Sequence, residues 1–74
     1  MRKAEAEAVF ATINGESAEL APDDTIADLV VTRVGSVRGV AVARNGEVVP
    51  RSQWGREHIC AGDQIEILTA AAGG

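Results

Sequence analysis

Gln64-Ile65-Glu66-Ile67-Leu68-Thr69-Ala70-Ala71-Ala72-Gly73-Gly74 is the stretch whose reading decides the fold. Polar and apolar residues alternate from Gln64 to Leu68, the period of a strand with one buried face, which places Ile65 and Ile67 inward. From Ala70 onward the side chains carry no bulk, charge or branching. Such a segment packs against nothing and can thread a narrow channel in another protein, where only backbone groups need to be read. A last strand set in mid-sheet would give that tail a fixed point of departure.

The remaining segments supply partners for that strand. Val9-Phe10-Ala11-Thr12-Ile13 alternates, with Val9, Ala11 and Ile13 on one face. Asn14-Gly15 then tolerates the positive φ angles of a tight hairpin, so Glu16-Ser17-Ala18-Glu19-Leu20 returns antiparallel. Ala21-Pro22-Asp23-Asp24 breaks the pattern. Thr25-Ile26-Ala27-Asp28 has capping-box spacing, and a short helix from about Thr25 presents Ile26, Leu29 and Val30 as one stripe before Gly35. Gly35-Ser36-Val37-Arg38-Gly39 is a connection.

Val40-Ala41-Val42-Ala43-Arg44 is a strand whose inner face the pattern leaves open. Asn45-Gly46 repeats the hairpin signal, and Glu47-Val48-Val49 is a short strand stopped by Pro50. Residues 51–60 show neither helix nor strand period, with Trp54 and Ile59 expected to fold them onto the edge of the core. Ala61-Gly62-Asp63 turns into the last strand. Two hairpins, a helix between them and a final strand define an α+β chain, one helix on one face of a mixed sheet.

Composition narrows the function. Seventy-four residues make a single domain with one small core and no room for a buried cofactor. Phe10 and Trp54 are the only aromatics, so the core is expected to be aliphatic. Eleven acidic against seven basic residues give a net charge of -4, the wrong sign for a nucleic-acid binder. No apolar run approaches the roughly 20 residues that span a bilayer, and Met1 to Glu7 lacks a signal-peptide core, which points to no membrane partner and a cytoplasmic protein. Residues 1–7 are expected to be a disordered arm, 8–69 the domain and 70–74 the flexible tail.

Val42-Ala43-Arg44-Asn45-Gly46-Glu47-Val48-Val49-Pro50-Arg51-Ser52-Gln53-Trp54, followed by Gly62-Asp63-Gln64-Ile65-Glu66-Ile67-Leu68 and Gly73-Gly74, resembles the ThiS family of sulfur carriers in thiamine biosynthesis. The resemblance covers about residues 9 to 74 and departs at the Met1–Ala8 extension and at the charged Arg44. It implies a β-grasp, ubiquitin-like fold of four to five strands on one short helix. It also implies a cycle at Gly74: an E1-like adenylyltransferase uses ATP to convert the carboxylate to an acyl adenylate, and sulfur from a cysteine desulfurase system replaces AMP. The resulting thiocarboxylate gives its sulfur to a thiazole synthase. The chain is then a protein cosubstrate, binding no cofactor itself, with Gly74 as the reacting residue and Gly73 and Ala72 read by the partner.

The residue types suit that chemistry. A free α-carboxylate has a pKa of roughly 3.3 to 3.7, so at neutral pH it is ionised and a poor electrophile until adenylated. Glycine leaves the carbonyl unhindered. Two alternatives share the tail: a carrier for molybdopterin or another sulfur-requiring pathway, and a ubiquitin-like modifier that forms isopeptide bonds.

Other residues read as structural. Cys60 lacks a thiolate-stabilising pair and is expected to be a small core hydrophobe. His58 has no acid or nucleophile at triad spacing and reads as a surface histidine. Asp23, Asp24 and Asp28 are accounted for by a turn and a helix N-terminus, leaving no metal site. Trp54 reads as the plug of the irregular segment.

Overall fold

The computed structural model describes residues 8–70; the arm expected over 1–7 and the residues 71–74, with Ala72, Gly73 and Gly74 among them, lie outside the described residues. Two N-G hairpins form as expected. β1 (Val9–Ile13) pairs antiparallel with β2 (Glu16–Leu20), and β3 (Val40–Arg44) with β4 (Glu47–Val48). Both turns place asparagine and glycine at positive φ, 52° and 86° at Asn14-Gly15 and 52° and 88° at Asn45-Gly46, the twist that matches two strands in a tight hairpin.

β5 (Gln64–Thr69) inserts between the hairpins, parallel to β1 and antiparallel to β3, in a five-stranded sheet of order β2-β1-β5-β3-β4. The strand that leads to the tail is therefore central. Its backbone is bonded on both sides, and a strand so held cannot slip without exposing Ile65 and Ile67.

α1 (Ile26–Arg33) covers one face. The expected capping box is present: the Asp28 N–H donates to the Thr25 hydroxyl at 3.2 Å, and the Thr25 N–H donates to the Asp28 carboxylate at 3.0 Å. Gly35, at φ 84°, ends the helix by donating its N–H to the Val31 carbonyl at 3.0 Å. The stripe of Ile26, Leu29 and Val30 packs on Ala11, Ile13, Val42, Ile65 and Ile67 of the sheet. Burying each of the large aliphatic side chains contributes about 1.5–3 kcal/mol, and together they fix the register of sheet on helix.

The inner face of β3, left open by the pattern, is that of Val40, Val42 and Arg44. Val42 is buried, while Arg44 reaches the rim of the same face and is half-buried. Residues 51–60 differ from expectation. Arg51–Arg56 is a 3₁₀ helix following Pro50, too short for a period of three residues per turn to stand out in sequence. Trp54 sits in it as the expected plug, buried, its indole N–H donating to the Val49 carbonyl at 2.9 Å. The core is thus aliphatic except for this tryptophan.

Two further expectations are corrected. β4 ends at Val48, and Val49 turns inward to the core while its N–H still donates to the Val42 carbonyl. Cys60 is exposed rather than a core residue. Ile59 takes the inward position beside it, and Cys60 falls on the turn that leads into β5.

Candidate functional site: the root of the tail

The last described residues show how the tail is launched. Thr69 is the final partner of Val40 in the β5·β3 ladder, and one residue later Ala70 donates its N–H to the Gly39 carbonyl at 2.7 Å. Ala70, read as the first residue of the tail, is therefore still tied to the sheet. Gly39 has φ 66°, and a Cβ added there would stand 3.2 Å from the Ala70 Cβ. The position calls for glycine twice over, by its backbone and by its neighbour.

β5 is clamped from both sides by the asparagines of the hairpin turns. Asn14 Oδ1 accepts from the Ile67 N–H at 2.8 Å and its Nδ2 donates to the Ile67 carbonyl, while its own N–H donates to the Ile65 carbonyl at 2.8 Å. At the start of the strand Asn45 Oδ1 accepts from the Gln64 N–H at 2.8 Å, and the Asn45 N–H donates to the Gln64 carbonyl at 2.7 Å. The N-G dipeptides signalled turns. They gave no sign that each asparagine also grips the strand between them.

A polar cluster holds the segment before β5. Asp63, buried, accepts from Arg44 Nε at 3.2 Å, from Asn45 Nδ2 at 3.1 Å and from the Cys60 N–H at 2.9 Å. Arg44 also pairs with Glu57 at 2.8 Å and donates to the His58 carbonyl. The charged residue that departs from the resemblance is thus the centre of a satisfied network. His58 lies exposed where residues 57–59 bond to the start of α1.

The face of the sheet turned away from α1 is open. Antiparallel partners share a face, so Ala41 lies beside Leu68, and Ala43 beside Glu66 and Val48. Leu68 is 64 % exposed, Val48 75 % and, further along β1, Phe10 55 %. Leu68 adjoins the tail root directly. On the other side of the root, Ile13, Asn14, Arg33, Val34, Ile67 and Thr69 line an open groove of about 270 Å³.

Hydrogen bonding from the Thr25 N–H, and then from its hydroxyl, holds the Asp28 carboxyl below its ordinary range. That is capping chemistry. Among the described residues no group of three or more His, Cys, Asp or Glu is placed to hold a metal ion, and no helix is long and apolar enough to cross a membrane.

A five-stranded mixed sheet over one short helix, with a small-residue segment leaving its central strand, is the β-grasp fold of ubiquitin-like carrier domains. The chain belongs to the ThiS family, whose family model matches residues 11–74. It is 33 % identical over 61 residues to the sulfur carrier protein ThiS of Escherichia coli (strain K12), covering 82 % of this chain and 92 % of that one. The crystal structure of the thiamine biosynthesis protein ThiS from Geobacter metallireducens superposes with a TM-score of 0.74 at 28 % identity, covering 89 % of this chain and all of the other. The chain is thus a small sulfur carrier of the thiamine-biosynthesis type.

Proposed function

We propose that this carrier works through the carboxylate of Gly74. An E1-like adenylyltransferase transfers AMP from ATP to that carboxylate, releasing pyrophosphate. The terminal sulfur of a persulfide carried by a cysteine desulfurase system then attacks the acyl carbon and expels AMP. A thiol reduces the resulting acyl disulfide, forming a new disulfide and leaving the thiocarboxylate that a thiazole synthase consumes. The chain binds no cofactor and catalyses nothing itself; Gly73 and Ala72 are read by the partner as backbone. This cycle belongs in the cytoplasm, where ATP and reduced sulfur are supplied.

The observation that carries this reading is the central position of β5, bonded on the β1 side as far as Ile67 and on the β3 side as far as Ala70, with Ala71-Ala72-Gly73-Gly74 following in sequence. A rigid strand gives an unbulky tail one direction of departure, and pre-set direction lowers the entropic cost of threading it into a partner. The open sheet face, with Leu68 beside the tail root, supplies apolar area for docking.

Complementation tests the destination of the sulfur. The chain is expected to restore growth of a thiamine-requiring strain that lacks its own carrier, and a chain without Gly74 is expected not to. Rescue of a strain deficient in molybdenum cofactor instead would assign the sulfur to molybdopterin. Ladders of conjugates on cellular lysines would mark a protein modifier.

A further inference from the structure

The exposed arginines are unevenly placed on this molecule. Asp23, Asp24 and the N-terminus of α1 lie at one end with Glu57 and Asp63, joined there by the Thr25 to His58 bridge, the Ile59 N–H to the Asp24 carbonyl and the Arg44 network. The tail leaves from the other end. Arg33 lines the groove beside Thr69, Arg38 directly precedes the Gly39 that holds Ala70, and Arg51 Nη1 reaches the Val37 carbonyl of the same loop at 3.5 Å. All these arginines are exposed.

Local structure explains only part of this. Arg33 suits the negative end of the helix dipole, and Arg51 ties down the 35–39 loop. Arg38 makes no side-chain hydrogen bond or ion pair among the described residues. In a chain of net charge -4, three of the four exposed arginines among the described residues nevertheless lie around the exit of the tail, the fourth, Arg56, standing beside Glu57.

We propose that Arg33, Arg38 and Arg51 form a basic collar that docks on an acidic patch at the mouth of the channel receiving the tail. This rests on the carrier reading above and adds the partner's local charge. The occupant is a protein surface because a polyanion such as nucleic acid would also meet the acidic remainder of this small chain and be repelled. Complementary charge at the tail root orients the encounter so that the tail meets the channel first.

The collar reverses the sign that overall charge would give. Arg38→Glu moves the net charge from -4 two units further negative. If bulk acidity drove docking onto a basic enzyme, this variant would bind more tightly. With the collar, it binds the adenylating enzyme of the same organism about threefold to tenfold more weakly, and Arg33→Glu with Arg38→Glu more weakly still. Arg38→Lys retains affinity, and Asp23→Lys, at the far end, changes it by less than about twofold.

Binding is measured by calorimetry at low and at physiological salt, with Trp54 fluorescence confirming that each variant is folded. Loss of affinity on collar reversal, shrinking as salt rises, supports the collar. Unchanged or tighter binding by both Arg38→Glu and Arg51→Glu overturns it while leaving the carrier reading intact, as does collar-dependent binding to a DNA duplex in preference to the enzyme. A wild-type chain that the enzyme neither binds nor adenylates overturns both.

Discussion

The side-chain amide of Asn14 meets the main chain of Ile67 in both directions, its Oδ1 accepting from the N–H at 2.8 Å and its Nδ2 donating to the carbonyl at 3.3 Å. A turn residue thereby continues the β1·β5 ladder beyond the end of β1. Asn14→Ala removes both bonds, leaves part-buried backbone groups without partners and puts a Cβ-bearing residue without a compensating polar group at φ 52°. The expected loss is about 2–3 kcal/mol of unfolding free energy in urea, with faster exchange of the Ile67 amide. Unaltered exchange at Ile67 would show that the clamp contributes nothing.

Asp63 binds Arg44, Asn45 and the Cys60 N–H at once. Asp63→Ala leaves the half-buried Arg44 with one carboxylate partner fewer and frees the turn before β5, at a cost of about 3 kcal/mol. Asp63→Asn keeps the shape and loses less. Denaturation midpoints for the two variants check the order, and equal midpoints would contradict it.

Gly39 and Ala70 form the last tether among the described residues. Gly39→Ala strains a backbone at φ 66° and crowds the Ala70 Cβ, at an expected cost of about 1–2 kcal/mol. Adding Ala70→Gly relieves the crowding and not the strain, so the double variant recovers part of the loss. Protection of the Ala70 amide, read by hydrogen exchange, follows the same order.

Asp28 makes the helix start sensitive to acid. Its carboxyl is held below the ordinary value of 3.8 by the Thr25 N–H first and the Thr25 hydroxyl second, so the folded group releases its proton more readily than the unfolded one. The stabilisation is therefore complete above the unfolded pKa and fades as pH falls through the lowered folded value. Wild type minus Asp28→Asn is expected to show a Tm difference that is constant at neutral pH and shrinks below about pH 4. A difference that grows on acidification would reverse the assignment.

Much of this fold is legible in sequence because its signals are local. Two N-G dipeptides mark two hairpins, Thr25 and Asp28 mark a helix start, and the alternation from Gln64 to Leu68 marks the strand that proves central. What escapes is long-range. Asn14 and Ile67 are 53 residues apart in sequence, and Arg44 and Asp63 are 19 apart, so no window on the chain shows that they meet. Residues 51–56 escape for another reason: a 3₁₀ turn is specified by Pro50 and by where Trp54 must go, not by a repeat. Cys60 reads as an inward residue because free cysteine usually is one; the turn it occupies gives the inward place to Ile59.

The same limit applies to the site. The tail announces itself by composition, whereas its root at Gly39 and Ala70 depends on how β3 begins beside the end of β5. The arginines around that root lie far apart in sequence and become neighbours only through the 35–39 loop and the helix end.

The central claim is chemical change at Gly74, and intact-mass spectrometry tests it most directly. After incubation with the adenylating enzyme, ATP and a sulfur donor, the chain is expected to gain the mass difference between one sulfur and one oxygen atom, and the form lacking Gly74 is expected to stay unchanged. An unshifted mass for the full chain, with partners that convert a known ThiS protein in the same mixture, would contradict the account.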